Sequence, residues 1–141
     1  MLSLPEYGWT DFSIGDAKYP LSYLTDIPIE WLNVSIYGLK NRRPFTVYGD
    51  CETTDVYCTV TEMFCHVIYE GYELTPKTFF VDMTKLDFCK ALHADISVDV
   101  DAWAGWLCYN DENFRKEQKC KIQSLLDELA ALIKTQAHHF K

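Results

Sequence analysis

The chain has 141 residues, 21 of them acidic and 13 basic, for a net charge of −8. Apolar residues make up 48% and aromatics 15%, which excludes global disorder. The charge excludes attraction through bulk potential to nucleic-acid phosphates or an anionic membrane. The length suits a single domain, 1–141.

The N-terminus, Met1-Leu2-Ser3-Leu4-Pro5-Glu6, lacks the basic and apolar regions of a secretory signal. Uncharged runs such as Trp31 to Leu39 fall well short of the ~20 residues of a membrane helix. A cytoplasmic location is expected. In that compartment the six cysteines (Cys51, Cys58, Cys65, Cys89, Cys108 and Cys120) are expected to be free thiols serving as small hydrophobes.

In chain order, Thr10 to Ile14 and Tyr19 to Leu24 suit short strands about a Gly15-Asp16 turn. Residues 27–40 read as a helix, with Asp26 as N-cap, Pro28 in the first turn and Ile29, Leu32, Ile36 and Leu39 at helical spacing. The rival is a strand, since Leu32, Val34 and Ile36 alternate.

Residues 44–83 read as a three-stranded antiparallel meander, at 45–51, 56–69 and 77–83. Pairing Val47 with Val60 and Ile68 with Phe79 collects twelve residues on one face: Phe45, Val47, Cys51, Val56, Cys58, Val60, Phe64, His66, Ile68, Phe79, Val81 and Met83. A bulge near Thr61-Glu62 would move the later ones to the other face. That other face (Tyr48, Tyr57, Met63, Cys65, Val67, Tyr69 and Phe80) is too apolar to leave wet without consequence. Cover from within the chain is expected, an interface being the alternative.

Three helices should follow. Thr84-Lys85-Leu86-Asp87 resembles a capping box and opens one to about 95. Ser97 or Asp99 caps a second, about 99–109, with Trp103 on its apolar stripe and Trp106 about 60° off it, partly exposed. Asn110 or Asp111 opens a long third to about 137, with Ile122, Leu125, Leu126, Leu129, Leu132 and Ile133 as its stripe. Asp111/Arg115, Glu112/Lys116 and Glu117/Lys121 set opposite charges four apart. His138-His139 falls at an end expected to fray. The whole is an α+β domain: an antiparallel sheet of three to four strands packed by about four helices, the C-terminal one long.

No motif carries catalysis or a cofactor. Cys51, Cys58, Cys65 and His66 lack the short spacing of a zinc site, and one strand would hold Cys58 and His66 about 26 Å apart. Cys89 and His93 share a helix face but have no third group to orient them. Asp99-Val100-Asp101 at a helix start serves the helix dipole better than it serves Mg²⁺. There is no glycine-rich phosphate loop. The expectation is therefore no metal, no cofactor and no catalytic residue.

What remains is the distribution of charge. Pro44 to Pro76 holds six acids and no lysine or arginine, and Ala91 to Phe114 holds five and again none. In the meander the acids other than Glu62 fall at its ends, with Asp50, Glu52 and Asp55 at one hairpin tip and Glu70 and Glu73 at the other. In the second stretch Asp95, Asp99 and Asp101 flank Trp106. Aromatics as anchors beside steering charges suit a binding surface. The expected function is a non-enzymatic acidic protein that docks on a basic surface of a partner protein through Asp50, Glu52, Asp55, Asp95, Asp99, Asp101 and Trp106. Inhibitors of nucleic-acid-handling enzymes, including phage and mobile-element anti-defence proteins, are the analogy of kind. The alternatives are a small enzyme built on Cys89, His93 and His66, and a subunit of a homo-oligomer joined through the tyrosine-bearing sheet face.

Overall fold

Two strands, β1 (Trp9–Ile14) and β2 (Ala17–Ser22), form a hairpin about Gly15-Asp16. The structure is a computed structural model, described for residues 1–139 and for side chains through residue 137. Helix α1 (Ile27–Asn41) follows, so the helix reading of 27–40 holds against the strand. Pro28 enters the first turn, where its missing N–H costs nothing. Asp26 is the cap residue, but its side chain makes no capping bond.

The meander has four strands, β3 (Phe45–Asp50), β4 (Thr54–Val60), β5 (Cys65–Gly71) and β6 (Leu74–Val81), in the order β3-β4-β5-β6. The segment read as one strand at 56–69 is a hairpin. Its turn contains no glycine, proline or asparagine. Thr61 closes it instead: its hydroxyl donates to the Phe64 carbonyl at 2.8 Å and accepts from the Phe64 N–H at 3.2 Å.

This turn changes the parity of everything after it. Observed partners are Phe45 with Val60, Val47 with Cys58, Cys65 with Val81 and Val67 with Phe79. The first pairing differs from the expected register by two residues, which preserves the face. The second differs by one, which reverses it. Cys65, Val67 and Tyr69 therefore face the core, while Phe64 is exposed and His66 and Ile68 lie on the outer face.

Helices α2 (Lys85–Ser97), α3 (Val100–Ala104) and α4 (Glu112–His139) complete the fold. Thr84 caps α2 by accepting from the Asp87 N–H at 3.1 Å. Asp99 caps α3 through the Ala102 N–H at 3.0 Å, and Asp111 accepts from the Phe114 N–H at 3.0 Å at the start of α4. Helix α3 ends at Ala104 rather than near 109, because the Gly105 N–H closes the turn onto the Asp101 and Ala102 carbonyls. The stripe of α4 is as expected: Ile122, Leu126 and Leu129 are buried, and Leu125, Leu132 and Ile133 pack beside them. Its backbone is helical through His139; the side chains of His138 and His139 lie outside the described residues.

The β1–β2 hairpin, α1 and α2 pack on one face of the sheet. Phe12 meets Trp31 edge-on at 5.2 Å, Phe45 meets Phe88 at 5.7 Å, and Tyr19 stacks on Tyr69 at 4.2 Å. The Trp31 indole N–H donates to the Tyr48 carbonyl at 2.9 Å. Helix α4 forms the outer layer across α1, α2 and α3. Among the described residues the architecture is the α+β fold expected, with a four-stranded sheet, a separate hairpin and four helices, the C-terminal one long. No described helix is long and apolar enough to cross a membrane.

Candidate functional site

The hairpin, α1 and α2 pack on one sheet face and α4 lies beyond them, so among the described residues the other face has no cover. This corrects the expectation of intramolecular cover. The aromatic N-terminal segment is consumed on the core side, where Tyr19 meets Tyr69 and Phe79. On the open face Phe80 is 71% exposed, and Tyr48, Tyr57 and Ile68 are half-buried.

The register arranges this face in three rows across the strands. The first is Thr46, Thr59, His66 and Phe80; the second is Tyr48, Tyr57, Ile68 and Thr78. The third is Asp50, Asp55 and Glu70 on β3, β4 and β5. Partners directly opposite in antiparallel strands point to the same side, and strand spacing makes each step ~4.8 Å. His66 stacks on Phe80 at 4.4 Å and bonds Thr78. Tyr48 and Tyr57 have ring centroids 5.1 Å apart, and the Tyr48 hydroxyl donates to Asp55. That bond, helped by burial, pushes the Tyr48 phenol well above its ordinary range.

Glu70 belongs to the row although its position in the sequence suggested the opposite hairpin tip. The Thr61–Phe64 turn folds β5 back so that Glu70 pairs with Asp55. The available signal was length: a 14-residue strand exceeds the usual 3–10. Glu52 extends the patch at the hairpin tip, where its N–H donates to Asp50 at 2.6 Å and it takes φ +72.

No ion pair among the described residues involves Asp50, Glu52, Asp55, Glu70 or Glu73. The one lysine or arginine of the four strands, Lys77, pairs opposite Tyr69 and so lies on the other face. Arg42 and Arg43 precede β3 at its far end, seven residues from Asp50, or about 23 Å along an extended chain. Neighbouring carboxylates repel by roughly 0.8 kcal/mol per pair at ~5 Å in bulk water. Among the described residues no ion pair offsets that cost.

The second acidic stretch is different. Asp95 pairs with the Met1 amino group at 3.2 Å and accepts from the Leu2 N–H at 2.9 Å. Asp101 pairs with Lys119 at 2.8 Å, which holds its carboxyl below the usual range. Asp99 and Asp111 are committed to helix N-termini. Trp106 is not a partly exposed anchor: it is 4% exposed and its indole N–H donates to the Thr25 carbonyl at 2.7 Å. Because α3 stops at Ala104, Trp106 leaves helical geometry and turns inward beside Trp103. None of the three i,i+4 pairs expected on α4 closes to ion-pair distance among the described residues.

Cys89, His93 and His66 are not brought together. Cys89 is buried in the core, where desolvation pushes its thiol up to about 12. His93 lies on α2, with its Nδ1 3.5 Å from the Ser97 hydroxyl, and His66 occupies the open sheet face. Cys58 and His66 are on adjacent strands rather than 26 Å apart on one, but on opposite faces. The described residues contain no cluster of three metal-ligating side chains. All six cysteines are unbridged. Comparison with protein-family models, curated proteins and solved structures finds no match to this chain.

Proposed function

We propose that this is a non-enzymatic acidic binding protein whose open sheet face docks on a basic surface of a partner protein. The observation that carries the reading is the row Asp50, Asp55 and Glu70, aligned on three neighbouring strands with no ion pair to a described cation. The aromatic rows next to it supply apolar area, and the carboxylates supply steering and register. Lysines and arginines of a partner relieve repulsion that the free fold carries. The same groups hold nucleic-acid phosphates, so an inhibitor of a nucleic-acid-handling enzyme is the form of partner this surface suits best.

The test is affinity capture on the full chain from native host lysate at low and high salt. A partner retained at low salt, released at high salt and lost with the Asp50→Asn, Asp55→Asn, Glu70→Gln triple variant supports the reading. Displacement of DNA or RNA from that partner makes the protein an inhibitor. Retention indifferent to salt and to the three substitutions overturns it. Concentration-dependent dimers that Phe80→Glu dissolves, with no salt-sensitive partner, replace it with self-association.

A further inference from the structure

A cavity of about 580 Å³ opens away from the sheet rows, between the tight turn at Tyr7-Gly8, Tyr23 after β2, and the connection from α3 to α4. That volume lies within the ~300–1,000 Å³ of small-molecule sites. Four of its twelve lining residues are aromatic: Tyr7, Tyr23, Trp106 and Tyr109. Trp106 contributes only hydrocarbon, because its N–H is spent on Thr25.

Two features of the lining are not required by the packing of the fold. The first is Tyr7, which holds φ +53 and is 94% exposed. A bulky residue in the left-handed region is an outlier, and this ring gains almost no burial in return. The turn is fixed by the paired bonds between Glu6 and Trp9, at 2.9 and 3.0 Å. Gly8, at φ +79, lets the backbone press on Tyr23, and a Cβ there would stand 2.9 Å from the ring. Both tyrosines are thus held at the cavity by backbone geometry.

The second feature is Arg115. Its guanidinium lies over the Tyr109 ring, 5.6 Å from the centroid, and lines the cavity. Its Nε is buried with no hydrogen-bond partner among the described residues. The nearby carboxylate, Asp101, bonds Lys119 and feels Arg115 through space without closing an ion pair to it. Nε is closed off from solvent, so the open end of the fork is the pair of Nη groups, which make no hydrogen bond or ion pair among the described residues and are suited to take a carboxylate.

We propose that the cavity binds a planar aromatic monocarboxylic acid, its ring among the tyrosines above Trp106 and its carboxylate on Arg115. A carboxylate gives the guanidinium an ion-pair partner that a neutral ring does not. Glu6 and Asp101, also on the lining, oppose any negative group placed away from Arg115. This site is independent of the sheet face.

The experiment is a titration of the ¹⁵N-labelled full chain with indole-3-acetate, followed by NMR, with neutral indole-3-acetamide as the matched control. Saturable shifts are expected at the Gly8, Gly105 and Leu107 amides and the Arg115 Nε–H, with the acetamide binding about tenfold more weakly or worse. Arg115→Gln should abolish the preference for the acid. Tyr7→Asn should weaken binding several-fold while leaving the remaining spectrum folded, since asparagine accepts the left-handed region. An absence of shifts at about 10 mM probe, equal binding of acid and amide, or shifts confined to other surfaces overturns the proposal.

Discussion

The Lys85 ammonium lies 2.7 Å from the Glu62 carboxylate, although Lys85 is 1% exposed and Glu62 is largely in water. Glu62 sits in the turn between β4 and β5, and Lys85 opens α2. The Lys85 N–H also donates to the Glu62 carbonyl at 3.3 Å, and Nζ lies 3.5 Å from the Gly38 carbonyl. One buried side chain therefore ties a hairpin turn to two helices.

Losing the negative charge leaves the buried ammonium with a neutral amide oxygen and one long carbonyl contact. Glu62→Gln should destabilise the fold by about 1–3 kcal/mol, less than a fully buried pair because water reaches residue 62. Lys85→Met removes the desolvation cost with the charge and should cost less than Glu62→Gln. Urea denaturation of both variants checks the order; a larger loss for Lys85→Met would mean that the ammonium is worth more than its burial costs.

The same turn shows what the sequence made legible. The long helix and the capped start of α2 were readable because periodicity and capping residues are local signals. The first hairpin and the parity of β3 and β4 were readable for the same reason. The turn at Thr61 was not, because it is closed by a threonine hydroxyl rather than marked by glycine or proline. That miss reversed the faces of Cys65, His66, Val67 and Ile68 and hid Glu70 from its neighbours. Trp106 was misplaced for a related reason: α3 ends on a glycine, and its stripe was extended one and a half turns too far. Which acids are paired depends on long-range neighbours such as Lys119 for Asp101, and no local pattern encodes them.

Docking of the hairpin on the core side is open to a packing test. A Cβ at Gly49 would stand 2.5 Å from Leu21 Cδ2 and 2.8 Å from Cδ1, and Leu21 is fully buried. Gly49→Ala should cost about 1–3 kcal/mol by overpacking. Leu21→Val should recover part of that loss when combined with it, though costly alone. Thermal melts of the three variants give the coupling; strict additivity would place Leu21 elsewhere.

The carboxylate row predicts opposite effects on stability and binding. Asp55→Asn and Glu70→Gln each remove repulsion between directly opposed residues and should stabilise the free fold by ~0.2–1 kcal/mol. Asp55→Asn also weakens the bond from Tyr48, so its gain should be the smaller. Added salt should shrink both gains, because it screens exposed charge. Chemical denaturation at two ionic strengths checks this, and a loss of stability on Glu70→Gln would show that the carboxylate has a favourable role within the chain.

Thiol chemistry should separate the six cysteines. Cys108 and Cys120 are exposed, whereas Cys58, Cys65 and Cys89 are buried. Burial raises the Cys89 pKa to about 12, so its thiolate is scarce at neutral pH. Iodoacetamide labelling followed by mass spectrometry should mark Cys108 and Cys120 first and Cys89 only on unfolding. Rapid labelling of Cys89 in the folded protein would contradict the core described above.

Asp26 gives a prediction in pH. Its carboxyl is raised chiefly by burial, against the smaller lowering effects of the Ile29 N–H, Gln118 and Lys121. A folded-state pKa above the unfolded one means that folding favours the protonated acid. The associated stability is fully present below the unfolded pKa and is lost as pH rises through the folded value. Asp26→Asn removes that loss. The variant should match the wild type near pH 3 and exceed it modestly, by less than ~1 kcal/mol, at pH 7. Melting temperatures across that range check the sign; a variant less stable at pH 7 than at pH 3, relative to wild type, would mean that the charged carboxylate is favoured in the fold.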